Sequence, residues 1–214
     1  LGTALFSDEH GYIDLATELA RRLHGLPPLN SGVADYLSNP IVANTYVDVA
    51  GAIFWAIGPV DIALKLFNSC VGVVTALLVY RITRNLRLEG ARWALLLVSG
   101  FPTLILWSSV ALKDTFVVFL MMVVVWSTTE LIRNKAALWV PLGMIPLVLL
   151  EDLRTFLFFI IAVAWPVSLA LSLSGVRRYR IALVAGVISF ILIVPSPAVN
   201  YVVDPSSLQA FESV

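Results

Sequence analysis

From Asp114 to Ile132 the chain reads DTFVVFLMMVVVWSTTELI. No charge interrupts it between Asp114 and Glu130. Its length is close to the roughly 20 apolar residues that a helix needs to cross a bilayer. Five further stretches of this kind lie at 61–80, 93–112, 136–150, 155–174 and 181–195, the fourth of the six and the last being short. Arg133-Asn134-Lys135 and Glu151-Asp152-Leu153-Arg154 are tight connections, so the segments they join are expected to run antiparallel.

The whole composition agrees: 59 % of residues are apolar, 13 % are charged, and the mean hydropathy is +0.92. An ordinary soluble domain carries about 25 % charged residues. We therefore expect an all-α, polytopic transmembrane helix bundle. No basic tract interleaved with aromatics suggests nucleic acid. The single cysteine, Cys70, rules out an intrachain disulfide or a cysteine cluster and reads as a small buried apolar residue.

Upstream of the bundle, Tyr12, Leu15, Ala16, Leu19, Ala20 and Leu23 form one apolar stripe at helical spacing, with Asp14, Thr17, Glu18, Arg21 and Arg22 off it. This predicts an amphipathic juxtamembrane helix lying along an interface, capped by Ser7 and stopped by Gly25 and Pro27-Pro28. Residues 29–45 read as a loop, and 49–60 as a short interfacial or re-entrant segment. The expected organisation is an extracytoplasmic loop over 1–60, a bundle of about six helices over 61–195, and an extracytoplasmic tail over 196–214. The chain opens at Leu1, close to a polar motif, and we read it as a piece that lacks an upstream span.

Charge orients the bundle. Arg81, Arg84, Arg87 and Arg92, then Arg133 and Lys135, then Arg177, Arg178 and Arg180 fall on one side by parity, which the positive-inside rule makes cytoplasmic. Asp8, Glu9, Asp14, Glu18, Asp35, Asp114, Glu151 and Asp152 fall opposite. With two crossings between them, Asp8 and Asp114 share the outer face. If 49–60 were a full span, they would not.

Asp8 and Glu9 stand in a first helical turn, where acids are stabilised by the macrodipole. Alternatively, Asp8 is a general base whose pKa is raised by partial desolvation at the lipid boundary. Asp114 is either a capping acid beside Lys113 or a functional acid at the bilayer edge. Arg154 is either an ion-pair partner of Glu151 or Asp152, or a guanidinium fork for a headgroup-level phosphate. Lys65 fits an i, i+4 pair with Asp61, or snorkelling, with a phosphate contact as the alternative. His10 stands beside Asp8 and Glu9, where it orients a carboxylate or joins a weak carboxylate-metal site; no histidine metal site is expected. His24 suits the positive requirement of a helix C-terminus. Trp107, Trp126, Trp139 and Trp165 read as interface anchors or packing, and Tyr12 and Tyr46 as sugar or phosphate contacts.

The outward Asp8-Glu9-x-x-Tyr12, followed by an amphipathic helix, resembles the first motif of the C-type membrane glycosyltransferases, such as the protein O-mannosyltransferase-like and aminoarabinose-transferase-like enzymes. Phe54-Trp55-Ala56-Ile57-Gly58 with Leu64-Lys65-Leu66-Phe67-Asn68 resembles their entry into the second span. Phe101-Pro102, Trp107-Ser108-Ser109 and Leu112-Lys113-Asp114 resemble their second acidic motif. The resemblance covers about residues 8–173. Members are usually longer, and His10-Gly11 inside the first motif departs from the pattern.

The resemblance implies that Asp8 is the catalytic carboxylate, supported by Glu9, Tyr12 and His10, and that Asp114 is the second acid. It implies Lys65, Lys113 and Arg154 as ligands of a carrier phosphate, and a polyprenyl-phosphate-linked sugar as donor, with the acceptor undefined. No cofactor is firmly implied, and the acids leave room for a divalent cation. The setting would be a bacterial plasma membrane, with the site facing the periplasm. The competing expectation is a non-catalytic transmembrane subunit of a larger membrane complex, with Asp8 and Asp114 as plain helix caps. A transporter fits less well, since the spans lack mid-bilayer ionisable residues apart from Lys65 near one end.

Overall fold

A computed structural model describes residues 7–29, 31–37, 44–86, 89–134, 138–172 and Gly186. The expected sixth span (181–195) and the tail (196–214) lie almost wholly outside the described residues. Among the described residues the regular structure is all helical: α1 (Ser7–Leu23), α2 (Ser31–Leu37), α3 (Thr45–Ile57), α4 (Asp61–Asn85), α5 (Ala91–Ser99), α6 (Pro102–Ser108), α7 (Asp114–Asn134), α8 (Trp139–Leu153) and α9 (Thr155–Ser172). The chain divides into two compact units, Leu1–Trp126 and Ser127–Val214, so the boundary falls inside α7.

In the first unit, α1 packs along α3. Small residues make the approach close: Ala16, Ala20 and Ala50 are buried together with Phe54, Leu64 and Ala111. A Cβ at Gly51 would lie 2.6 Å from Leu19 Cδ2. Asn44 starts α3, its Oδ1 accepting the amides of Tyr46 (3.1 Å) and Val47 (3.2 Å). Gly58, at φ +99°, ends it before Pro59. The loop expected over 29–45 thus contains a short helix, α2, and α3 starts four residues before the expected 49–60 segment.

The stripe of α1 is only partly as expected. Ala16 and Ala20 are buried, but so is Glu18, which was expected off the stripe. Its Oε2 accepts the Leu29 amide (3.1 Å), while the Arg21 guanidinium donates to the Pro27 carbonyl (2.8 Å). These two side chains fold the chain back after Gly25, at φ +69°.

Among the described residues two helices, α4 and α7, are long and apolar enough to cross a membrane. The bent pair α5–α6 makes a third if it is one span. The stretch expected as one helix over 93–112 is broken by 57°. Pro102 has no amide to donate and forces Phe101 out of the helical region, to φ −71° and ψ 114°.

The pair α5–α6 runs back along α4. It leaves the C-terminal end of α4 through a short connection and returns to the other end. There Ser69 Oγ donates to the Ser108 carbonyl (3.0 Å), and a Cβ at Gly72 would lie 2.9 Å from Ser108 Cβ. On α4 itself the polar Asn68 and Thr75 are buried, whereas Ile62, Leu66, Val73 and Leu77 are exposed. Cys70, expected inside, is exposed on the same outer face. With Leu64, Val71, Leu78 and Ile82 buried as well, α4 is apolar on both faces, unlike the one-sided stripe of a soluble surface helix.

In the second unit, α8 and α9 pack together against the last turns of α7. Trp165 is buried and donates from Nε1 to Thr128 Oγ1 (2.8 Å), a packing role rather than an interface anchor. The end of α7 is closed locally: Glu130 Oε2 accepts Asn134 Nδ2 (2.7 Å) and faces Arg133 Nη2 (3.1 Å).

Candidate functional site

The acid that organises the site is Glu9. It stands in the first turn of α1 and is fully buried (0 % exposed). A carboxylate so placed is tolerable only when paired and hydrogen-bonded. Its Oε1 lies 3.0 Å from Lys65 Nζ of α4 and accepts the Ala111 amide at 3.2 Å. Lys65 is therefore not the partner of Asp61 expected from spacing; it reaches across to α1, with its side chain 26 % exposed.

Three residues further along α4, Asn68 is also fully buried. Its Nδ2 is 2.6 Å from the Val110 carbonyl, 2.9 Å from the Leu112 carbonyl and 3.1 Å from Tyr46 Oη. An amide group has two hydrogens, and the two carbonyls are the closer acceptors. Asn68 Oδ1 is buried with no hydrogen-bond partner. An orphaned acceptor of that kind costs about 1–3 kcal/mol. The segment between α6 and α7 is thus held by buried side chains at three successive residues.

That segment leads straight into the second motif. The Lys113 carbonyl accepts the Val117 amide (2.9 Å), the first bond of α7, which leaves Asp114 in the first turn near the positive end of the helix dipole. Lys113 Nζ stands 6.0 Å from the centre of the Tyr12 ring. Tyr12 meets Tyr46 edge-on at 5.3 Å, and Tyr46, Phe67 and Phe119 each contact Phe116 at 6.1–6.3 Å, forming an aromatic floor. Tyr46 is wholly buried, not open at an outward loop as expected of a sugar or phosphate contact. Burial pushes its hydroxyl well above the usual phenol range, against the pull of the Asn68 hydrogen bond, with Tyr12 and Glu9 nearby adding to the rise.

The structure therefore brings Glu9, Tyr12, Lys65 and Lys113 together at the end of α4 where the chain enters α7. Asp8 lies in the same turn as Glu9, located by its backbone, and Asp114 follows Lys113 directly. His10 is exposed, and among the described residues no group of three His, Cys, Asp or Glu side chains could hold a metal ion. Arg154 belongs to the second unit, where it is exposed at the break between α8 and α9. His24 directly follows the end of α1, and its Nε2 is 3.2 Å from the Trp55 carbonyl.

Asn68 was the residue that sequence reasoning passed over. A signal existed: it is a lone amide on the Leu64–Val71–Thr75–Leu78 buried stripe of an otherwise apolar helix. Glu9 had one too, since running the stripe of Ala20, Ala16 and Ile13 back one more turn lands on it.

Comparison with protein-family models, with curated proteins and with solved structures gave no match.

Proposed function

We propose that this chain is an integral membrane glycosyltransferase, or a piece of one, that moves a sugar from a polyprenyl-phosphate donor to an acceptor hydroxyl at the extracytoplasmic face of a bacterial plasma membrane. α4, the bent pair α5–α6 and α7 are the crossings, within a polytopic bundle, and α1 lies beside the outer membrane surface. The observation that supports this reading is the hydrogen bond from the Ala111 amide to Glu9, which sets the turn carrying Asp8 against the segment carrying Lys113 and Asp114.

In the reaction, Asp8 takes the proton of the acceptor hydroxyl as its oxygen attacks the anomeric carbon. The bond to the carrier phosphate breaks with inversion, and the phosphate leaves as an anion. Lys113 and Lys65 are the cations available to that developing charge. Asp114 orients the acceptor or the donor. A divalent cation is compatible with these acids, and assay with and without a chelator reports on it.

A second reading draws on the same pair. Glu9 and Lys65 neutralise one another inside the fold, as they would in a non-catalytic subunit of a larger membrane complex. The test is sugar transfer by the full-length protein. Asp8→Asn and Asp114→Asn should each lower kcat by a factor of about 10² or more, the scale of a lost general base. Transfer at the unmodified rate in both variants sinks the enzyme and leaves the subunit.

A further inference from the structure

We propose that Asn68 is a positioning residue for the Lys113-Asp114 motif, acting through the backbone of residues 110–112. Its Nδ2 reaches the carbonyls on either side of Ala111, and Glu9 takes the Ala111 amide between them. Three consecutive residues are thereby fastened to α4 and α1 by side chains that are themselves fully buried. No helical hydrogen bond does this work, because α6 ends at Ser108 and α7 begins at Asp114.

The next carbonyl, that of Lys113, opens α7. A shift of the fastened segment therefore reaches Lys113 and Asp114 within two residues. Tyr46 Oη of α3 lies 3.1 Å from the same Nδ2, packed beside the clamp. The buried Oδ1 has no partner, so the amide contributes through its N–H groups alone. Leucine, close in size, fills the space and removes both donors. Asn68 touches neither sugar nor phosphate in this scheme. What it positions is catalytic only on the transferase reading above.

The experiment compares the full-length wild-type protein with Asn68→Leu and Asn68→Ser, the serine keeping one donor in case leucine does not fold. Thr75→Val serves as a control, because Thr75 is buried on the same stripe and bonds only within α4, to the Val71 carbonyl. Amide hydrogen exchange over residues 110–113 should rise at least tenfold in the Asn68 variants, with residues 117–131 and the control unchanged. For transfer from a polyprenyl-phosphate sugar, kcat should fall at least tenfold while the donor KM stays within threefold.

Unchanged exchange overturns the clamp. Faster exchange with kcat intact, or a raised KM with kcat intact, overturns the positioning role. A wild-type protein that transfers no sugar from any such donor refutes the transferase alone, and the exchange rates still uphold or overturn the clamp.

Discussion

Glu9 and Lys65 show how a single contact decides what a residue is for. Both are charged, and either reads from spacing as a local helix feature: a first-turn acid, and a base one turn from Asp61. Burial changes the accounting. Glu9 has no access to water, so its charge depends on Lys65 and the Ala111 amide. Lys65→Met removes the cation 3.0 Å from that buried carboxylate and should cost about 3 kcal/mol or more. Glu9→Gln keeps an acceptor for Ala111, so the double variant Glu9→Gln with Lys65→Met should recover at least half of the loss. Thermal unfolding in detergent reads the cycle, and simple addition of the two losses would show that the pair is not coupled. The pairing was out of reach of local spacing, because it joins residues 56 positions apart through a tertiary fold.

At the scale of elements, the apolar runs at 61–80 and 114–132 appear as α4 and α7, because runs that long and that uncharged leave the backbone few alternatives to a helix. The break inside 93–112 was written in Gly100-Phe101-Pro102, whose effect on the backbone is local; hydropathy averaged over the stretch conceals it. The helix α2 was hidden for the converse reason, since Gly32 and Ser31 look like loop residues. Contacts between elements were least legible. Gly143 of α8 is an example: a Cβ there would lie 2.6 Å from Ser127 Oγ and 2.8 Å from Trp165 Cζ2. Both neighbours are buried, and Trp165 is tethered to Thr128. Gly143→Ala gains up to about 1 kcal/mol of helix propensity. Overpacking of about 1–3 kcal/mol should outweigh that gain. The melting temperature is expected to fall, and adding Ser127→Gly should restore part of it.

For the molecule as a whole, sidedness is the property that matters most, and contact now bears on it as well as charge. Glu9 touches Ala111, so the start of α1 and the entry to α7 meet at one end of α4, whatever the status of α3. The exposed Arg81, Arg84 and Arg92 stand at the other end. From Lys65 to Arg84 the helix rises roughly 28 Å at 1.5 Å per residue. That is close to the hydrocarbon thickness of about 30 Å. In a Cys70→Ala background, a membrane-impermeant thiol reagent added outside intact cells should label His10→Cys and Ser109→Cys and spare Glu89→Cys. Labelling of all three, or of only one of the first two, would contradict this placement. The elbow between α5 and α6 has its own bearing on life in a bilayer. A straight rod can answer a thinner or thicker membrane only by tilting as a piece. If the pair crosses as one span, its bend at Phe101 makes it shorter end to end than a straight helix of as many residues, and the end of α6 is fastened to α4 where Ser69 donates to the Ser108 carbonyl.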